Sequence, residues 1–236
     1  MMSPHQNRIV AAVQAVHTDI EKQIAARNSQ LDEAGLWYEL SCCILSSQVR
    51  YDLAVSAADS IAESGVLLSG NRHEDELFQK LLVLLKKPLR VGDQWKRYRF
   101  PNKRADQLSK LAARVHLEAE NLSELLTTIS EPEEARNWLV THAPGIGPKQ
   151  ASMFLRNIYH SFDLAIIDRH VVDYMKIMEI YDPNNGSIST LRTYRKHEAV
   201  MTAHALGMGV KVGLLDWAIW VVMRVLKNME KELLAA

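Results

Sequence analysis

Cysteine is nearly absent from this chain. The only two, Cys42 and Cys43, are neighbours in an apolar helical run. They cannot staple a disulfide framework and are too few for a zinc or iron–sulfur site, so they read as core thiols of a reducing cytoplasm. Glycine (10) and proline (7) are also sparse among the 236 residues, which leaves helix formers in the majority. No long apolar run is present. The N-terminus lacks the apolar core of a signal peptide, and the most apolar stretch, Val212 to Leu226, carries Asp216 and Arg224 and is too short to span a bilayer. A soluble cytoplasmic protein without a membrane partner is the expectation.

Net charge is absent as well: 28 Lys and Arg balance 28 Asp and Glu. The balance hides segregation. From Lys86 to Arg114 ten basic residues face two acids, Asp93 and Asp106, whereas Glu118 to Glu134 holds six glutamates and no Lys or Arg. A neutral total of this kind can still present one cationic face to nucleic acid.

Apolar residues recur at spacings of three and four almost throughout, with no long alternating run. The pattern predicts an all-α chain, with helices over Gln6–Arg27, Asp32–Gln48, Asp52–Glu63, Asp75–Lys86, Lys103–Glu118 and Leu122–Ser130, then Pro132–His142, Pro148–Tyr159, Asp168–Ile180, Ser189–Leu206 and Val212–Leu233. Pro88–Pro101 is the longest stretch left without helix. Residues 1–30 read as an N-terminal helical extension to a domain of residues 31–236.

The segment Ala143-Pro144-Gly145-Ile146-Gly147-Pro148-Lys149-Gln150-Ala151 stands out. It joins the helices of residues 132–159 as a hairpin. Gly145 and Gly147 permit positive φ and close backbone approach, Ile146 between them faces inward, and Pro148 suits the first helical position. The free amides of the second helix can hold a phosphate. Gln150 after the lysine excludes a nucleotide P-loop, which needs Ser or Thr there. Lys149 is the unusual choice, because a cation in a first turn opposes the helix dipole. Such a lysine serves phosphate binding or chemistry, and the positive helix end favours the neutral, nucleophilic amine. Asp168, in Ile167-Asp168-Arg169-His170, is placed to cap the next helix with one oxygen and leave the other for a substrate.

These blocks, with Phe154-Leu155-Arg156-Asn157, Leu164-Ala165-Ile166-Ile167 and Tyr98-Arg99-Phe100-Pro101 upstream, resemble the helix-hairpin-helix DNA glycosylases, and among them the archaeal-type 8-oxoguanine DNA glycosylase/AP lyases. The resemblance spans roughly Trp37 to Lys227. It implies two helical lobes flanking a DNA- and base-binding cleft, a monomer acting on double-stranded DNA that carries a modified base, and no metal or organic cofactor. Lys149 would attack the sugar as the flipped base leaves and Asp168 would stabilise the charge that develops, with β-elimination following from the Schiff base. Gly145, Gly147, Arg99, Lys103, Arg104, Arg169 and His170 would hold the DNA backbone. Gln48, at the end of Ile44-Leu45-Ser46-Ser47-Gln48, would fill the gap left by the base, while Asp216, Trp220 and Lys227 would line the base pocket. One departure concerns the last of these: members of the family tend to end at the position of Lys227, and this chain continues to Ala236. Two alternatives stay open, a glycosylase for another base such as a modified phage base, and a non-catalytic helix-hairpin-helix module.

Overall fold

Capping residues set most of the helix boundaries. The computed structural model describes residues 2–25, 31–159 and 161–235. Its helices are α1 (Pro4–Ala25), α2 (Glu33–Leu45), α3 (Tyr51–Ser64), α4 (Glu74–Lys86), α5 (Pro101–Glu118), α6 (Leu122–Thr128), α7 (Pro132–His142), α8 (Pro148–Tyr159), α9 (Arg169–Ile177), α10 (Leu191–Gly207) and α11 (Val212–Ala235). Asp32, Asn121, Asp168 and Thr190 each accept a first-turn amide with the side chain, and proline opens α5, α7 and α8.

Two helices stop three residues earlier than the apolar spacing implies. The helix expected to reach Gln48 ends at Leu45, because its last carbonyls serve tertiary donors. The Tyr98 hydroxyl donates to Leu45 O at 2.7 Å and the Arg104 guanidinium to Ser47 O at 2.8 Å. Gln48 then takes a left-handed φ of 62° in an exposed turn. The helix expected to reach Ile180 ends at Ile177. Glu179, at φ 58°, lets Ile180 N bond back to Met175 O at 2.9 Å, a Schellman end without glycine.

The exception to an all-helical reading lies in Pro88–Pro101. There a two-stranded antiparallel ribbon, β1 (Leu89–Val91) and β2 (Gln94–Lys96), turns at Gly92 and Asp93, with Gly92 at φ 58°. Strands of three residues are too short for an alternation to be read from sequence.

The chain forms two compact units. The central unit ends at Tyr159 and contains α2 to α8. Its spine is α2, buried from Leu36–Trp37 through Leu45 and packed on α3, α5, α6 and α8. Cys42 and Cys43 sit inside it as free thiols, and burial pushes the Cys42 thiol up to about 12. The terminal unit joins α1 to residues 161–235. Ile9, Val13 and Ile20 of α1 enter one core with Val171, Tyr174, Tyr194, Leu215 and Ile219, and Gln6 Nε2 donates to Ile177 O at 2.8 Å, capping the end of α9. Helix α1, read from sequence as an extension, is therefore a wall of the terminal unit; Ala26, Arg27 and residue 30, where that extension was expected to end, lie outside the described residues. Among the described residues no single helix is long and apolar enough to cross a membrane.

Candidate active-site elements

In the central unit, α7 and α8 form the expected hairpin. Glu133 and Glu134 lie in the first turn of α7, and Arg136, fully buried, reaches Ser152 Oγ of α8 at 3.2 Å and also pairs with Glu133. This buried arginine clamps the two helices together, a role its sequence position did not disclose. Ala143 ends α7, and Ile146 N donates to Ala143 O at 3.1 Å, closing the turn with the Ile146 side chain buried.

The two glycines have different reasons to be glycine. Gly145 has φ 88°, and a Cβ there would stand 2.3 Å from Gln107 Nε2. Gly147 lies outside the positive-φ region expected for it, and its Cβ would meet only Gln150 Oε1 at 3.3 Å. Gln107 is held against the turn by Arg104, whose Nη1 donates to Gln107 Oε1 at 2.6 Å while Nη2 takes Ser47 O. Arg104 was expected on a DNA phosphate. It is instead 4% exposed, and its guanidinium ties the glycine turn to the Gln48 turn. The structure thus brings Gln48, Arg104 and Gly145 together around the start of α5. Arg99 and Lys103 stay exposed there, Arg99 lying over the Phe100 ring at 4.9 Å.

Lys149 is the second residue of α8 and is half-buried. Among the described residues of its own unit no carboxylate forms a salt bridge with it. Burial, Glu39 and Cys42 push the Cys43 thiol up while Lys149 and Arg156 oppose the rise, so the Lys149 charge is felt at the α2 surface against which α8 packs.

In the terminal unit, Asp168 caps α9 as expected, with Oδ1 accepting Val171 N at 2.9 Å. The chain that delivers it, Leu164 to Ile167, is buried and has no strand partner. Buried amides need acceptors, and side chains supply them. Ala165 N donates to Glu198 Oε1 at 2.9 Å, Ile166 N to Asp216 Oδ2 at 2.5 Å and Ile167 N to the Tyr194 hydroxyl at 2.7 Å, which donates onward to Ala165 O at 2.8 Å. Asp216 was expected at a base. It is 2% exposed, with Oδ2 committed to the backbone two residues before Asp168, so it supports that segment from within. No local pattern marks Tyr194 or Glu198 for this task, because their partners lie about thirty residues away.

The other expected residues of this unit are partly engaged. Trp220 is half-buried, and Arg224 covers one face of its ring at 4.9 Å, leaving a base at most the other face. Lys227 approaches Asp173 of α9 at 4.0 Å, and because α11 continues beyond it, its carbonyl is an ordinary peptide. Arg169 is exposed and His170 half-buried in the first turn of α9. Among the described residues no cluster of three or more His, Cys, Asp or Glu is arranged to hold a metal ion.

Residues 18–210 match the family model described as 8-oxoguanine DNA glycosylase. The chain is 33% identical over 187 residues to the 8-oxoguanine DNA glycosylase/AP lyase of Sulfurisphaera tokodaii, covering 78% of this chain and 80% of that protein. The crystal structure of the Methanocaldococcus jannaschii 8-oxoguanine DNA glycosylase aligns over 92% of this chain and 93% of that one, with 26% identity and a TM-score of 0.67. The M. jannaschii protein in complex with 15mer DNA containing 8-oxoguanine aligns over 92% and 90%, with 26% identity and a TM-score of 0.59. A lysine on a glycine hairpin, an aspartate capping a later helix and these matches over most of the chain agree: the chain belongs to the 8-oxoguanine DNA glycosylase family of helix-hairpin-helix proteins.

Proposed function

We propose that this glycosylase/AP lyase excises an oxidised purine, 8-oxoguanine foremost, from double-stranded DNA, using Lys149 as nucleophile and Asp168 as its electrostatic partner. One observation carries the assignment. Lys149 stands at the second position of α8, straight after the glycine turn, where the helix dipole disfavours a cation and the first turn holds no acidic residue.

In this reading the flipped nucleotide presents C1′ to the Lys149 amine. The Nζ–C1′ bond forms as the glycosidic bond breaks, and the glycosidic electron pair leaves with the base, which takes up a proton. Asp168 offsets the positive charge on the sugar and accepts the proton that Nζ sheds. Opening of the sugar ring at O4′ gives the Schiff base. Loss of a C2′ proton then expels the 3′ phosphate and nicks the strand. Asp168 is suited to this because the α9 cap occupies Oδ1 and leaves Oδ2 for the reaction. The first-turn amides of α8, with Gly145, Gly147, Arg99 and Lys103, take phosphates of the damaged strand, and Arg169 and His170 serve the strand from the start of α9. One copy of the chain suffices. Gln48, exposed with a strained φ of 62°, fills the space the base vacates.

Borohydride trapping tests the assignment. Wild type forms a covalent adduct with duplex containing 8-oxoguanine, whereas Lys149→Gln forms none and its excision falls by about a thousandfold. Trapping undiminished in Lys149→Gln would remove Lys149 from the nucleophile's role.

A second reading concerns the base alone. Helix α11 runs through Lys227, so the end of the pocket expected at Lys227 carries an ordinary peptide carbonyl. If that end of the pocket reads a different modified base, single-turnover rates across a panel of modified-base duplexes will rank that base above 8-oxoguanine.

A further inference from the structure

The β1–β2 ribbon has no part in the chemistry above, yet its composition is lopsided. Its inner face is anchored: Leu89 is buried, β1 packs on α3, and Ser56 Oγ donates to Arg90 O at 2.8 Å. Strand alternation then puts Arg90 and Trp95, directly paired across the ribbon, on the opposite face. Trp95 is 71% exposed, and Arg90 is exposed with Nε turned back to Gly92 O at 3.2 Å. Trp95 thus buries little of its indole in the fold, and tryptophan is enriched at contact surfaces.

The charge around it has one sign. Lys86, Lys87, Arg90, Lys96, Arg97 and Arg99 surround the ribbon in sequence with Asp93 as the lone acid; all but Lys96 are exposed, and none forms an ion pair among the described residues. The ribbon also has a definite neighbourhood. Arg50 bonds Asp52 in the first turn of α3 and, with the Leu53 amide and more weakly Lys96, holds its carboxyl below the usual range. Tyr51, 70% exposed, lies at the same corner, and Tyr98, two residues past β2, bonds to Leu45 O just before the Gln48 turn. The chain that follows the ribbon is thus anchored just before the turn assigned to the vacated base position.

We propose that the outer face of the β1–β2 ribbon is a second DNA contact, which grips the sugar–phosphate backbone of duplex flanking the lesion: Arg90 and Arg97 pair with phosphates, and Trp95 packs its indole on a deoxyribose. Backbone is the occupant because six cations against one acid complement a phosphate row, and a lone indole between them covers the apolar sugar edge. The inference rests on the DNA-binding reading of the preceding section.

The test uses the full chain and a 25-base-pair duplex holding a non-cleavable abasic analogue, with binding followed by anisotropy across a salt series. The Arg90→Ala, Trp95→Ala double variant should bind about tenfold to thirtyfold more weakly, with a salt slope lower by about one. Lys80→Ala, an exposed cation of α4 away from the ribbon, should match wild type. Unfolding temperatures equal to wild type exclude a folding defect, since both ribbon side chains are exposed. Wild type failing to bind the duplex would refute the DNA-binding reading itself. Wild type binding normally while the double variant keeps the same affinity and slope would overturn the ribbon proposal alone. Unchanged DNA binding with lost binding to a polyglutamate probe would hand the ribbon to an acidic protein surface, and would equally overturn it.

Discussion

The two units hold their key residues by different means. In the central unit Lys149 follows a turn shaped by local backbone chemistry: a glycine at φ 88°, a buried isoleucine, a proline at the first helical position, and Gln107 pressed against the glycine. In the terminal unit Asp168 ends a buried segment with no strand partner, and three side chains from α10 and α11 take its amides in succession. A turn of the first kind tolerates change away from its few special positions. A segment of the second kind depends on acceptors scattered along the chain, and each lost acceptor leaves a buried donor unpaired.

The sharpest way to break this comparison is at Asp168, where the cap and the proposed chemistry share a carboxylate. Asp168→Asn retains a good cap, so its unfolding free energy should stay within about 0.5 kcal/mol of wild type, while single-turnover excision falls about 100-fold to 1000-fold. A large stability loss in this variant would mean that the carboxylate matters mainly to the fold. Gly145→Ala comes next. Its Cβ would collide with the Gln107 amide and carry a strained φ, a cost of about 1–3 kcal/mol seen in denaturant titration. Gly147→Ala should cost under about 1 kcal/mol, because its contact is milder and its φ ordinary. Equal effects at the two glycines would show that the turn is not set by Gln107.

Tyr194→Phe leaves Ile167 N without its acceptor and should destabilise by about 1–2 kcal/mol while slowing excision more than it weakens DNA binding. Loss confined to stability would mean that the segment's precision does not reach Asp168. The smallest expected effect is on pH. Burial lowers the pKa of His204, which faces the Tyr174 hydroxyl at 2.9 Å, so its neutral form is favoured in the folded state. The stability it contributes is full above the unfolded-state value near 6.5 and is lost as pH falls through the lower folded-state value. Thermal unfolding between pH 7.5 and 5.5 should show this slope, and His204→Gln should flatten it.

What the sequence disclosed follows the same division. Helices α7 and α8, the inward Ile146 and the Asp168 cap were legible because each depends on residues within a few positions of one another. Four features were not: the end of α2 at Leu45, the burial of Arg104, the commitment of Asp216 to Ile166 N, and the membership of α1 in the terminal unit. Each is decided by a partner roughly fifty or more residues away, which no local period or capping signal records. The ribbon escaped for a different reason, since three-residue strands hold less than two full periods of alternation.

The packing of α1 against α11 fixes an order of events during synthesis. The apolar stripe of Ile9, Val13 and Ile20 leaves the ribosome before the central unit, and its partners, from Val171 to Met223, follow only after it. The central unit contains all of its own helices and can close while α9 to α11 are still being made. While the central unit is being made, therefore, α1 is an amphipathic helix without a home, and the terminal unit can seal only after α11 emerges to receive it.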